Sequence, residues 1–470
     1  MLGTEAQTAK MITRTANTQP NANWLRELAS YVDYSRFRRI WLHPITEQAE
    51  QGYIAACYER VSQRANSEGE YFLAHDAANH GLRCAAAAAF PPHTLTALKV
   101  TALARSGAIR EAKRVMEQFL ANHEPDSSVC SAQARLFRDL GFAANDQADR
   151  RDLLSEAARW AAKAKDCALE EGKDWAYPAN QEAQFRYLAG ECEIARASAL
   201  AVIDFVEGRA NAGSMWNQIN LAEMHLVRGD IAVAGNHYQK AAEAGAASPG
   251  DVAANRAVAE VLMREVTRNQ EVDSAQLDCW FPKPVVVVFA GHIPDAPGRS
   301  MSRLPEALCR PGGAAATAIA DQLRKFQAIE GICASAPGGD ILFAEALTVI
   351  GARLALVDPF PRHRIEKIAA ERGQDWPERL AKTFDVAMRS EPIACAEDAN
   401  EAAQCEYATY VMLGAAILRA RRINAKLQAL VLWDESDADS PMRGGTGQFV
   451  ALCRQSGVPV EIINPLKLPA

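Results

Sequence analysis

Residues 334–361, ASAPGGDILFAEALTVIGARLALVDPFP, admit very few folds. The apolar run GICAS at 331–335 leads into a turn at Gly338 and Gly339. Asp340 follows, then a helix-patterned stretch, Gly351, and a second apolar run, LALVDPFP. The order is strand, glycine turn, helix and parallel strand within about thirty residues, the size of one β-α-β unit. Such a unit is the smallest that builds a nucleotide-binding crevice. Glycines let backbone N–H groups approach a phosphate, and the following helix turns its positive end towards the anion. A ligand class follows from this pattern, but not a reaction.

The chain has 470 residues, enough for two or three domains. Apolar residues make up 49% and charged residues 23%, as in ordinary globular proteins. A net charge of −7 argues against nucleic acid as a direct partner, because tracking phosphates needs a basic face. The eleven cysteines are scattered without a CxxC pair, which fits reduced thiols and excludes that type of zinc or redox motif. No apolar run is long enough to span a bilayer, so no membrane partner is expected. Residues 1–21 are polar, lack the apolar core of a signal peptide and read as a disordered lead-in. A cytoplasmic location is the resulting expectation.

From residue 22 to about residue 270 the pattern is helical, rich in Ala, Leu, Glu, Arg and Gln. Residues 97–126, 182–205 and 220–245 look alike: an apolar helix, then Gly107, Gly190 or Gly229, then a second helix. Small residues such as Ala112 and Ala234 face back from the second helix and let the pair pack closely. A further degenerate pair fits around Gly141 and Ala157–Ala164. These units resemble the tetratricopeptide repeat, a helix pair of about 34 residues. The resemblance implies a solenoid whose curved surface holds a protein partner or another copy of the chain; the plainer alternative is a scaffold. His75, His80, His225 and His237 read as surface or satisfied helix residues rather than metal ligands.

The texture changes across 271–284, a linker, and an α/β domain is expected over 284–470. Strands are expected at 285–292, 331–335, 353–357, 427–434 and 459–465, alternating with helices. That alternation predicts a doubly wound, Rossmann-like parallel sheet with ligands beyond the carboxyl ends of its strands.

Three loops are expected to meet on that edge. The first carries Gly291, His292, Asp295, Arg299 and Arg303; the arginines either fork onto phosphate oxygens or form surface ion pairs. The second carries Gly338, Gly339 and Asp340, either an anion cradle with a sugar-binding acid or a plain turn with a capping residue. The third runs from Asp434 to Gly444, Gly445, Thr446 and Gly447, a second Gly-Gly in the matching place. Asp434 is placed to accept from ribose hydroxyls or merely ends a strand, and Thr446 either meets a phosphate or caps the last helix. Glu345 is the lone acid of an apolar helix and the candidate for chemistry at a ribosyl carbon; the alternative is an exposed or arginine-paired glutamate. His292 is either an acid–base group, a stacking ring or a structural residue. No metal ligand set is apparent.

FAGHIPDAPGR, SAPGGDILFAEALTVIGARLALVDPFP and LVLWDESDADSPMRGGTG together resemble the C-terminal module of bacterial TPR-S proteins. That module is similar to the SLOG superfamily, including LONELY GUY phosphoribohydrolases and nucleotide sensors, and more distantly to TIR domains and nucleoside deoxyribosyltransferases. The resemblance covers about residues 284–465. It implies binding of a nucleotide or NAD-derived ligand in bacterial signalling or defence, or cleavage of such a ligand's N-glycosidic bond. PGGDILFAE keeps Pro337, Gly338, Gly339 and Glu345 of the phosphoribohydrolase motif PGGxGTxxE, with Ile341 and Leu342 in place of its Gly and Thr.

Overall fold

The computed structural model describes residues 51–88, 90–244, 248–268, 274–295, 302–373, 375–393, 400–436 and 443–469. The expected lead-in over 1–21 and Arg299 lie outside them. The described chain divides into two compact units, one ending at Lys283 and one beginning at Pro284.

The first unit is helical. Successive hairpins are α1 (Gln51–Ser67) with α2 (Tyr71–Ala88), α3 (His93–Arg105) with α4 (Ile109–Leu120), and α5 (Ser127–Ala143) with α6 (Gln147–Glu170). Next come α7 (Ala176–Ala189) with α8 (Cys192–Glu207) and α9 (Met215–Arg228) with α10 (Ile231–Glu243). The long helix α11 (Pro249–Thr267) and the short α12 (Leu277–Trp280) close the unit. At Gly190 (φ 96°) the N–H bonds Tyr187 O while the Glu191 N–H bonds Arg186 O. Gly229 (φ 92°) and Gly107 (φ 94°) repeat this cap. A Cβ at any of the three would meet nothing within 4 Å, so the left-handed dihedral alone calls for glycine. Ala112 and Ala234 are fully buried beneath the paired helices. Gly141 instead lies inside α5, packed on the Leu154 side chain.

Alternate helices also touch: α1 with α3, α3 with α5, α7 with α9 and α9 with α11. The last long helix also meets the first described one, because α11 packs on α1. A Cβ on Gly250 would stand 2.6 Å from the backbone nitrogen of Gly69 and 2.7 Å from Asn66 O. Ser248 Oγ donates to Glu68 Oε1 at 3.0 Å across the same contact. The candidate histidines are engaged within helices: His225 stacks on His237 at 5.3 Å, and His237 Nδ1 lies 2.9 Å from Gln218 Oε1. Between α7 and α9 a buried polar layer forms, in which Gln184 Nε2 donates to Glu223 Oε2 at 2.6 Å. Burial pushes the Glu223 carboxyl up to about 8, against the opposing bonds from Asn180 and Gln184.

The second unit holds a six-stranded, all-parallel sheet with order β4-β3-β2-β1-β5-β6. Its strands are β1 (Val285–Gly291), β2 (Ala328–Cys333), β3 (Arg353–Asp358), β4 (Arg389–Pro392), β5 (Lys426–Leu432) and β6 (Val460–Ile463). Val286 to Phe289 are fully buried, as expected of a central parallel strand. Helices α13 (Ala314–Phe326), α14 (Gly339–Ile350), α15 (Arg362–Glu371), α16 (Trp376–Val386), α17 (Glu401–Arg422) and α18 (Thr446–Gln455) connect them. α14 rests on β1, β2 and β3; α18 rests on β1, β5 and β6. A buried, forked ion pair from Arg419 to Glu330, with contacts of 2.7–3.0 Å, ties α17 to β2. Strand β4 was not expected from the sequence. RSEP is short and polar, ends in proline and pairs only with β3, which suits an edge strand.

Two outcomes follow. Gly190→Ala and Gly229→Ala should each cost about 1 kcal/mol in urea unfolding, from the left-handed dihedral alone, whereas Gly250→Ala, pressed on Gly69, should cost more. Because Glu223 is protonated more readily folded than unfolded, its contribution is present at low pH and fades as pH rises from about 4.5 towards about 8. Glu223→Gln should therefore stabilise the protein at pH 8, leave it unchanged at pH 4, and flatten that slope in thermal melts.

Candidate functional site

Strand order places the site. From β1 the chain steps through β2 and β3 to β4 on one side, then returns to place β5 on the other side of β1. The order therefore reverses between β1 and β5, and crevices open beyond the carboxyl ends of strands at such a reversal. His292 follows β1 and Asp434 lies just beyond β5. The His292 N–H bonds Leu432 O at 3.1 Å, extending the pairing by one residue and bringing the two side chains together.

His292 Nε2 lies 2.8 Å from Asp434 Oδ1, with side chains 6% and 4% exposed. The same nitrogen lies 3.2 Å from the backbone N–H of Asp434. A protonated Nε2 donates to the carboxylate; a bare Nε2 accepts from the N–H. The ring thus has a partner at this atom in either state. The N–H and hydroxyl of Ser436 also bond Asp434 Oδ1, at 3.2 and 2.9 Å. Burial pushes the Asp434 carboxyl up, but the His292 bond and then the Ser436 bonds outweigh it and hold the group below its ordinary value. Among the described residues, each of these partners falls on Oδ1, and Oδ2 is the atom left to accept.

The helix start next to β1 is seated by glycine. A Cβ on Gly291 would lie 2.9 Å from Gly339 Cα, and one on Gly338 (φ 100°) would lie 2.6 Å from His292 O. Of the anion cradle expected at Gly338–Gly339, one donor is already engaged. The Gly339 N–H is bonded to His292 O at 2.9 Å, so these glycines serve close approach of backbone to backbone. Asp340 is also not the cap: Gly338 occupies that position, and the Asp340 carboxylate is buried, accepting from the Ala336 N–H at 3.2 Å and from the Gly291 N–H. Burial pushes the Asp340 carboxyl up to about 7 against those bonds.

The remaining candidates divide. Gly445 is the cap of α18 and Thr446 its first residue, so Thr446 does not cap the last helix. Gly444 packs against α17, where a Cβ would meet Cys405 Cβ at 2.6 Å, and its N–H bonds Gln448 Oε1 at 2.6 Å. Gly447 is buried within α18. Asp295 accepts from Ser302 Oγ and from the N–H groups of Arg303 and Leu304 at 2.7–3.1 Å, holding its own loop. Arg303 Nε lies 3.9 Å from that same acid. Glu345 receives a two-pronged contact from Arg379 at 2.7 Å on each oxygen, and Arg379 also stacks on Trp376 and donates to Cys309 O. The arginine-paired alternative thus describes Glu345, and the free carboxylate expected for chemistry is not what the geometry presents.

Sequence reasoning passed over Asp358, at the end of β3. It accepts from Ser335 Oγ at 2.6 Å and Ser390 Oγ at 3.3 Å, and burial pushes it up to about 6. The signal was available: like Asp434, it is an acid closing a buried apolar run at the carboxyl edge. Among the described residues, no group of three or more His, Cys, Asp or Glu is arranged to hold a metal ion. No described helix is long and apolar enough to cross a membrane. The chain matches no protein-family model, no curated protein and no solved structure.

Asp358 gives a pH signature. Its raised value means that its contribution is present below about pH 4 and lost as pH rises through about 6. Asp358→Asn should gain on the order of 2 kcal/mol over wild type at pH 8 and nothing at pH 3.5, measured by denaturant unfolding at each pH.

Proposed function

We propose that the α/β unit binds the ribose-bearing part of a nucleotide or NAD-derived ligand between the ends of β1 and β5. The observation that carries this reading is the buried His292–Asp434 pair at the strand-order reversal, with Asp434 Oδ2 left to accept. A charged carboxylate with one oxygen engaged suits a vicinal diol, whose hydroxyls are donors. In this reading the sheet is wound on both faces in the Rossmann manner, because right-handed crossovers put α13, α14 and α16 on one face and α17 and α18 on the other. The helix pairs act as a tetratricopeptide-like array that holds a protein partner or another copy. The architecture then suits a TPR-S type role in bacterial signalling or defence.

A second reading, cleavage of the ligand's N-glycosidic bond, draws on one observation. His292 Nε2 keeps a partner with or without its proton, as an acid–base group requires. Arg379 holds Glu345, so this route runs through His292.

Thermal shift against NAD, AMP, ADP and cyclic nucleotides tests the binding reading. At least one ribose ligand should raise the melting temperature by several degrees, and Asp434→Asn should weaken it about tenfold or more. A flat response across the series would remove the proposal. Release of free base that disappears in His292→Ala would establish the second reading.

A further inference from the structure

The helical unit carries a pair of thiols that neither the fold nor the proposed ligand site uses. Cys130 lies in the first turns of α5 and Cys167 in the last turns of α6. These helices form an antiparallel hairpin whose open end is zipped by Ser127. Its N–H donates to Glu171 Oε1 at 2.9 Å and its hydroxyl to Oε2 at 2.6 Å. Those bonds fix the register. One turn inward along each helix, the same register sets Cys130 opposite Cys167. Cys130 is fully buried, whereas Cys167 is half-buried and open to a small oxidant.

We propose that Cys130 and Cys167 are a reversible oxidation site that takes a hydroperoxide as its oxidant. The Cys167 thiolate attacks the peroxide oxygen, the O–O bond breaks, and Cys167 becomes a sulfenic acid as water (or an alcohol) leaves. The Cys130 sulfur then attacks the Cys167 sulfur, the S–O bond breaks, and the departing hydroxide takes the Cys130 proton as a second water. Two thiols have lost two electrons and two protons to the peroxide, and one S–S bond staples α5 to α6. Burial, which pushes the Cys130 thiol up to about 12, makes it a poor first target and leaves it as the resolving partner. The new bond falls beside the Ser127–Glu171 contacts, so it closes the hairpin where the helices are already in register.

The full chain is reduced, exposed to hydrogen peroxide, alkylated and digested with trypsin without reductant. The expected product joins residues 115–135 to residues 166–173, two hydrogens lighter than the sum of the two peptides, and dithiothreitol separates them. In Cys130→Ala, Cys167 stops at the sulfenic acid and is trapped by dimedone; in Cys167→Ser no crosslink forms. Oxidised wild type should melt several degrees higher than reduced protein, with no such difference in either variant. The proposal is overturned if both peptides stay reduced while the exposed Cys279 is oxidised, or if Cys167 crosslinks to any other cysteine.

Discussion

The α/β unit depends on the approach of Gly291 to Gly339, where a side chain on either would strike the other's backbone. That contact lets the start of α14 sit against the end of β1. The Gly339 N–H then reaches His292 O, and the Asp340 carboxylate takes the Gly291 N–H. The strand end is thereby clamped from the helix side, while the His292 N–H clamps it from β5. Held on both sides, the His292 ring has little freedom except to face Asp434. The position of the candidate site is thus a consequence of two absent side chains.

The acids along the carboxyl edge show how similar groups acquire different characters. Asp340 and Asp358 are buried with mainly neutral donors, so burial dominates and both are pushed up. Asp434 faces an imidazole and a serine that supplies two donors, and it is held down. One charged acceptor therefore stands beside two that titrate near neutrality. The charged one is the acid at the strand-order reversal.

What the sequence disclosed follows from how directly each constraint marks a residue. Gly107, Gly190 and Gly229 were legible because a left-handed turn with open space around it admits little else. The central strands were legible because burial on both faces leaves an unbroken apolar run. Gly338 and Gly339 were ambiguous, since an anion cradle and a tight backbone contact call for the same residue. The Glu345–Arg379 pair was hidden because its partners come from separate helices and meet only once α16 packs on α14. Strand β4 gave no pattern because an edge position asks for neither an apolar run nor alternation.

Among the described residues, the number of helix pairs between α1 and α11 is fixed by the contact that joins those two helices. An open stack of helix pairs can gain or lose a pair at small cost, since each pair touches only its neighbours. Here Gly250 rests on the backbone at Gly69, so the start of α11 must land on the turn between α1 and α2. Inserting or deleting one pair would rotate that landing point away. Growth by duplication between α1 and α11 is therefore closed unless the joint itself is rebuilt.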